Sequence, residues 1–490
     1  MASVGGDKVN GSELKKLIDR DRTSPGKAKA RQGLQYYKGQ HEILNYRLFY
    51  YDNNGILKED KYRSNIKIPH LFHTELVDQK VQYLLSNPIE VVTEDQTLQD
   101  YLKEYINEDF QETLQNAIEG ASNKGLEYVY SYIDQENKMN FQVADSLSVI
   151  PIYDELNNYK LTSIVRYYDT KVQDQDKEVT ITKVEVWTDK DVTYYIQDKD
   201  NKEFKLDNGI KPNPRPHIVL EDEKALYDGG SFGYIPFFKL QNNKYEKTDL
   251  EPIKALIDDY DLMACSLSNN LQDFQEAIYV VRGYPGDNLD ELTTNLKTKK
   301  TIGVDETGGL DVKTIDIPIA ARESKIRLDK ESIYKFGMGF DSSQVGDGNV
   351  TNVVIKSRYA LLDLKCNKAE IRLRKLIRQL LKAIVDDINR RFNTAYNYMD
   401  IDISIIRETM VNENDIANNE KIDAEAKGQL INNIITAATR FDDDTVLKCL
   451  CDILELDYEK VKEKVEHQEI KNIDFNSLSE QLVNEGVEDE

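Results

Sequence analysis

The sequence predicts an α+β chain, mainly helical, in which long amphipathic helices flank a small β element and a β-rich block fills part of the first half. Three observations carry this. From Leu250 to Ile278 apolar residues recur at Leu250, Ile253, Ile257, Tyr260, Ala264, Leu267, Leu271, Phe274 and Ile278, alternating steps of three and four. That is a heptad stripe over about four repeats, hence one long helix with a narrow apolar seam. Between Tyr128 and Leu240 short runs are rich in β-branched and aromatic residues, the composition of strands. From Val353 to Phe392 a second stripe (Ile355, Tyr359, Leu362, Cys366, Ala369, Leu373, Leu376, Leu380, Ala383) marks a helix roughly 60 Å long.

In chain order, residues 1–33 are polar and rich in Lys and Arg, a loose arm leading into a helix over Tyr36–Tyr46. Leu48–Tyr51 running into Asp52-Asn53-Asn54-Gly55 predicts a strand and a tight turn, because Asn-Gly tolerates positive φ. A helix follows over Leu71–Leu85 and stops at Asn87-Pro88, since the residue before proline leaves helical space. Tyr101–Lys124 reads as one helix with Gly125 as its stop. Strands are predicted at 128–133, 149–153, 164–168, 179–187, 192–196 and 232–240, with Pro236 at an edge.

Beyond the heptad helix, Arg282-Gly283-Tyr284-Pro285-Gly286 breaks the pattern. A short helix over Leu289–Lys297 and a small hairpin of Ile302–Val304 with Leu310–Ile317 follow, then a helix over Ala320–Lys335. The layout is two staves joined by a knob. Phe336–Thr351, with Gly337, Gly339, Gly346 and Gly348, reads as a mobile loop, and Asn349–Asn352 can cap the next helix. The tail is helical over 415–439 and 443–466, with Asp442-Asp443-Asp444 as a cap.

The 490 residues carry a net charge of −24, a balance that opposes phosphate binding through the overall field. The charge is uneven. Residues 353–392 hold eleven Lys/Arg against four Asp/Glu, and residues 396–490 hold nine against twenty-four. Four scattered cysteines, Cys265, Cys366, Cys449 and Cys451, do not form a disulfide framework, and Cys449-Leu-Cys451 lacks zinc-knuckle spacing. No signal peptide opens the chain and no apolar run reaches membrane-span length, so folding in a reducing cytoplasm is expected.

No Walker A or Gly-x-Ser-x-Gly motif occurs, so no catalytic residue is assigned. His70 and His73 with Glu75 could begin a metal site or simply start a helix, and no third ligand is placed by spacing. Asp258, Asp259 and Asp261, with Asp273 and Glu276 against Lys254 and Arg282, read as a solvated acidic face, since positions i, i+1 and i+3 do not converge on an ion. No metal and no cofactor are expected. Lys365, Lys368, Arg372, Lys375 and Lys382 fall on one side of the long helix. They could meet DNA phosphates, or pair with the acidic tail or a neighbouring subunit.

The order of several short motifs resembles the portal proteins, the head–tail connectors of tailed bacteriophages, of the siphophage type infecting Gram-positive bacteria. Carrying the resemblance are Asn65–His70 with Leu76–Leu84 and Asn87-Pro88-Ile89, then Val149–Asp154, Gly233–Phe237 with Asp249-Leu250, and Arg358–Lys365. It spans nearly the whole chain and implies a portal fold: a homo-oligomeric ring of about twelve subunits around a DNA tunnel. By position it implies a wing over 1–247, stem helices over 248–282 and 321–335, a clip over 283–320, a tunnel loop over 336–351, a long helix over 352–395 and an acidic crown over 396–490.

The implied partners are viral double-stranded DNA, the terminase large subunit, the major capsid protein, scaffolding protein and a head-completion adaptor, with no membrane. The implied location is the capsid portal vertex of the virion, with assembly in the host cytoplasm. Gln344, Val345, Asp347, Asn349 and Val350 would face DNA, and Leu250, Ile253, Ile257, Tyr260, Leu267, Leu271, Phe274 and Ile278 would form the seam between subunits. Twelve such chains would carry a charge of about −290, and an acidic bore resists sticking to DNA. Two other readings are a non-viral coiled-coil scaffold or adaptor, which leaves the knob unexplained, and a Mg²⁺-dependent nuclease or transferase, which lacks convergent carboxylates.

Overall fold

The computed structural model describes residues 10–466, apart from 53, 62, 175–176, 199–202, 221–227, 274–277, 283–306, 308, 314–317, 342, 344–351, 408–412 and 455. The chain divides into two units: residues 1–345 with 357–409, and residues 346–356 with 410–490.

Helices begin earlier than the composition suggests. α1 (Gly11–Arg22) is capped by the Asn10 side chain, and α2 (Pro25–Tyr37) by Ser24 with proline in its first turn. The segment expected to be a loose arm is therefore mostly helical, because Leu14 and Ile18, one turn apart, are buried against strand residues such as Val165 and Val184. The helix expected over Tyr36–Tyr46 ends at Tyr37, and a 3-10 turn covers Glu42–Asn45.

The hairpin β1 (Phe49–Tyr51) and β2 (Leu57–Glu59) forms as read, with Gly55 at φ 73° and Asp52 Oδ1 accepting from the N–H groups of Asn54 and Ile56 at 2.9 Å each. α3 (Phe72–Leu84) and β3 (Glu90–Val92) follow. The helix expected over 101–124 is two: α4 (Gln96–Tyr105) and α5 (Glu108–Lys124). Asn107 divides them, since its side chain caps α5 through the Phe110 N–H at 3.0 Å. Gly125 stops α5 in the left-handed conformation, φ 87°.

The β-rich block is wholly antiparallel. β4 (Leu126–Ile133) pairs with β5 (Met139–Ala144), a strand the residue pattern missed, and with β14 (Phe237–Gln241). A second sheet runs through β6 (Val149–Asp154), β7 (Lys160–Asp174), β8 (Lys177–Trp187), β9 (Asp191–Gln197) and β10 (Phe204–Leu206), with β11 (Arg215–Pro216) also on β9. β12 (Ile218–Leu220) and β13 (Asp228–Gly230) form a separate pair.

The heptad segment becomes α6 (Lys254–Asp273), shorter than expected. Ile278 lies in strand β15 (Ile278–Arg282), which pairs with β16 (Gly309–Lys313). The β excursion thus uses 278–282 as its first strand, where Ile302–Val304 was expected. Residues 289–297 and 302–304 lie outside the described residues. α7 (Ile319–Gly337) runs antiparallel to α6, with Lys325 opposite Asp259 and Ile333 in one cluster with Ile257.

α8 (Asn352–Phe392) is 41 residues long, and β17 (Asp402–Ser404) closes on β3. Leu362, Cys366, Leu373, Leu376 and Leu380 of α8 are buried with α3, α4 and α5 in the largest core cluster, so this stripe is filled by its own chain.

The second unit contains α9 (Glu413–Ala437), α10 (Asp443–Ile453) and α11 (Tyr458–Glu466). Asp442 caps α10 through the Thr445 N–H, as read, while the helix expected over 443–466 breaks after Ile453. No helix among the described residues is long and apolar enough to cross a membrane.

Candidate functional site: the α6–α7 pair and its junction with α8

The seam positions of α6 meet two environments. Leu250 and Ile253, in the turn before α6, and Ile257 are buried among Tyr36, Phe72, Leu76, Ile333 and Tyr334. Tyr260 packs at the edge of this cluster and stacks edge-on to Phe72 and His70. Further along, Leu267 is half-buried and Leu271 is exposed. Phe274 lies outside the described residues, and Ile278 belongs to a strand rather than the helical seam. The N-terminal half of the stripe is therefore satisfied within the chain, which corrects the expectation that Leu250, Ile253 and Ile257 form the seam between subunits.

The acidic face is not solvated throughout. Asp261 is fully buried and accepts from His41 Nδ1 at 2.7 Å, His70 Nδ1 at 2.8 Å and the His70 N–H at 2.9 Å. Burial alone would raise its pKa, but the bonds from His41 and His70 hold the carboxyl below its usual range. Asp258 accepts from Tyr36 and Lys254, and Asp259 pairs with Lys325, which also reaches Asp329. The three carboxylates engage separate sets of partners, so they do not form one chelate. No group of metal-ligating side chains occurs among the described residues. His73 packs in the interior with no hydrogen-bond partner for either ring nitrogen among the described residues.

Where α6 begins, α7 ends and α8 passes, a charged node joins α3, α5, α7, α8 and the turn before α6. Asp249 Oδ2 lies 3.0 Å from Lys80 Nζ on α3 and 3.3 Å from Lys365 Nζ on α8. Lys80 also donates to Ser122 Oγ on α5 at 2.8 Å and to Asn242, and Lys365 donates to the Gly337 carbonyl at 3.0 Å. Two ammoniums on one carboxylate overcome the burial cost and hold Asp249 well below the usual carboxylate range. Lys365 at the last carbonyls of α7 also suits the negative end of the helix dipole.

The glycine-rich segment after α7 is anchored at its start. A Cβ on Gly337 would come within 2.6 Å of a Leu76 methyl carbon, and one on Gly339 within 2.0 Å of the other. These glycines allow close approach to α3, which corrects the reading of the whole segment as a mobile loop. Gln79 clamps Phe340 from both sides, accepting from its N–H at 2.9 Å and donating to its carbonyl at 2.7 Å, and Phe340 stacks on Tyr359 at 4.5 Å. Gln344, Val345, Asp347, Asn349 and Val350 lie outside the described residues.

The basic stripe of α8 divides. Lys365 is turned inward to Asp249, which is neither DNA nor the acidic tail. Lys382 lies 6.0 Å from the Tyr398 ring. Lys368, Arg372 and Lys375 make no ion pair among the described residues, and Arg372 donates to the Lys368 carbonyl at 2.9 Å. Neighbouring arginines act as internal staples: Arg374 donates to the Ile403 carbonyl and Arg378 to those of Tyr398 and Ile401.

Spacing missed Lys80, Asp249 and Gln79. Lys80 left a trace, standing between Leu76 and Leu84 on the apolar face of α3, where a cation needs a buried partner. Asp249 left none.

A family model described as "Phage portal protein, SPP1 Gp6-like" matches residues 21–450. The chain is 29% identical to a portal protein of Bacillus phage SPP1 over 74% of its own length and 70% of the relative's. It is 28% identical to a portal protein of Clostridium phage phiCD119 over 71% of its length and 79% of the relative's.

Proposed function

The chain belongs to the SPP1 Gp6-like family of phage portal proteins, and on that premise we propose that its copies stand side by side in a ring of about twelve. The ring surrounds a channel at one capsid vertex, through which viral double-stranded DNA is packaged, retained and ejected, without enzymatic activity of its own. The observation that carries the reading is the antiparallel α6–α7 pair, joined through the β15–β16 ribbon, within a chain matched to that family over residues 21–450. Leu271 on α6 and Leu328 on α7 are 44% and 54% exposed. They supply apolar surface for a neighbouring pair.

In this reading the stem is α6 and α7, and the clip, where the terminase and then the head-completion adaptor dock, begins at Ile278. Residues 1–247 form the wing toward the capsid shell, and residues 396–490 the acidic crown. A chain charge of −24 supports passage rather than gripping of DNA, with weak contacts left to the segment 344–350 and to Lys368, Arg372 and Lys375.

Images of the purified protein viewed down its axis test this. A ring with a central hole is expected; rods, compact dimers or a monomer at every concentration overturn the ring. Cleavage of plasmid DNA with Mg²⁺, or ATP hydrolysis, by the purified protein overturns the non-enzymatic reading.

A further inference from the structure

The β1–β2 ribbon has no core of its own. All six strand residues are exposed, and Phe49, Tyr51, Ile56 and Leu57 are 50%, 73%, 57% and 54% open to solvent. An isolated two-stranded ribbon is marginal in water, and an exposed cluster of large apolar side chains marks a contact surface.

Its root, by contrast, is tied along α6. The N–H groups of Ser64, Ile66, Ile68 and His70 donate in turn to Asp273, Asn269, Cys265 and Asp261, at 3.1, 2.7, 3.3 and 2.9 Å. The repeats match. Two extended residues advance about 6.6 Å and four helical residues about 6.0 Å, so each second N–H meets a side chain one turn further along. Asn65 and Lys67 also donate to the carbonyls of Tyr46 and Leu44, at 3.2 and 3.1 Å. The root thus leads the ribbon out at the Asp273 end of α6.

We propose that this ribbon is an assembly arm, docking on the Asp273 end of the α6–α7 pair of a neighbouring copy of this chain, near Leu271 and Ile319. The inference rests on the ring reading above. Two arguments select a second copy. The first is charge. Residues 44–67 hold five Lys/Arg and three Asp/Glu in a chain of net −24. Arg47–Glu59, Lys58–Asp52 and Arg63–Asp60 pair within the arm, leaving Lys61 and Lys67 as surplus cations that an acidic second copy complements.

The second is symmetry. Rotation about a ring axis keeps every copy at one height, so an arm leaving at the Asp273 level meets its neighbour at that level. Lys325 stands opposite Asp259, so the start of α7 lies toward the Asp273 end of α6. Leu271 and Ile319 are there, 44% and 42% exposed. Arm and acceptor are different patches of one chain, the head-to-tail contact that closes rings.

The test uses the full chain. Replacing Phe49, Tyr51 and Leu57 together by Ser is expected to raise the protein concentration needed for assembly at least roughly tenfold, with the monomer's melting temperature unchanged. In a Cys449→Ser background, Tyr51→Cys with Leu271→Cys should give a ladder of disulfide-linked oligomers that neither single cysteine gives. Wild-type assembly by the triple variant overturns the arm and leaves the ring standing. A shifted assembly without the ladder overturns the docking position. A wild-type protein that stays monomeric overturns the ring, and the arm with it.

Discussion

At its N-terminal end α6 delivers Ile257 into a closed cluster with Tyr36, Phe72 and Ile333, with no measurable exposure, whereas four turns later Leu271, on the same heptad face, stands 44% open. The polar side of the helix changes in a different way. Asp261 is enclosed by two imidazoles, while Asp273 accepts from the edge of an extended segment through the Ser64 N–H. A single periodicity thus serves two ends, one sealed by its own chain and one open to solvent. Periodicity states which residues share a face; it does not state whose atoms cover that face.

Four measurements break or sharpen this contrast. The largest effect is expected at the sealed end. Asp249→Ala leaves Lys80 and Lys365 without their shared carboxylate, and denaturant unfolding should show a loss of about 3–5 kcal/mol. Ile257→Ala, which opens a cavity in the closed cluster, should cost about 2–4 kcal/mol by the same measurement. If Leu271→Ala costs as much, the two ends are equivalent and the contrast fails.

The third is a pH series. Burial lowers the His73 pKa from 6.5 to about 4, with Lys365 adding and Asp249 opposing. The folded imidazole stays neutral while the unfolded chain takes up a proton below 6.5. Stability is therefore complete above that pH and falls toward pH 4, by at most about 1.4 kcal/mol per pH unit. Below the ordinary carboxylate value of 3.8 the depressed Asp249 and Asp261 add further loss as each is protonated. Urea melts of His73→Phe between pH 7 and 4.5 should be flatter than those of wild type. The smallest effect on folding is expected from Leu271→Asp, within about 0.5 kcal/mol, yet native mass measurement should show fewer rings. Unchanged rings would remove Leu271 from the interface.

Much of the fold was legible because its signals are local. The α8 stripe, the Asn-Gly turn, the Gly125 stop and the Asp442 cap each depend on residues within a turn or two. The misses have a common cause. α1 has only Leu14 and Ile18 to mark its buried face, and their partners lie across the sheet. β5 is specified by pairing with β4 rather than by its own alternation. The Gly337–Gly339 segment reads as pliant until Leu76 is seen against it.

By itself the sequence determined the α+β class, the two staves with a β excursion between them and the long basic helix, since amphipathic spacing and capping act over a few residues. Only the tertiary structure decided that Asp261 and Asp249 are interior, that Lys365 serves the junction rather than DNA, and that the seam is closed at one end and open at the other. Those outcomes depend on side chains 116 to 220 positions apart, such as Lys365 with Asp249, Lys80 with Asp249 and His41 with Asp261. In the low dielectric of the interior, the groups that meet there set the balance between desolvation and pairing.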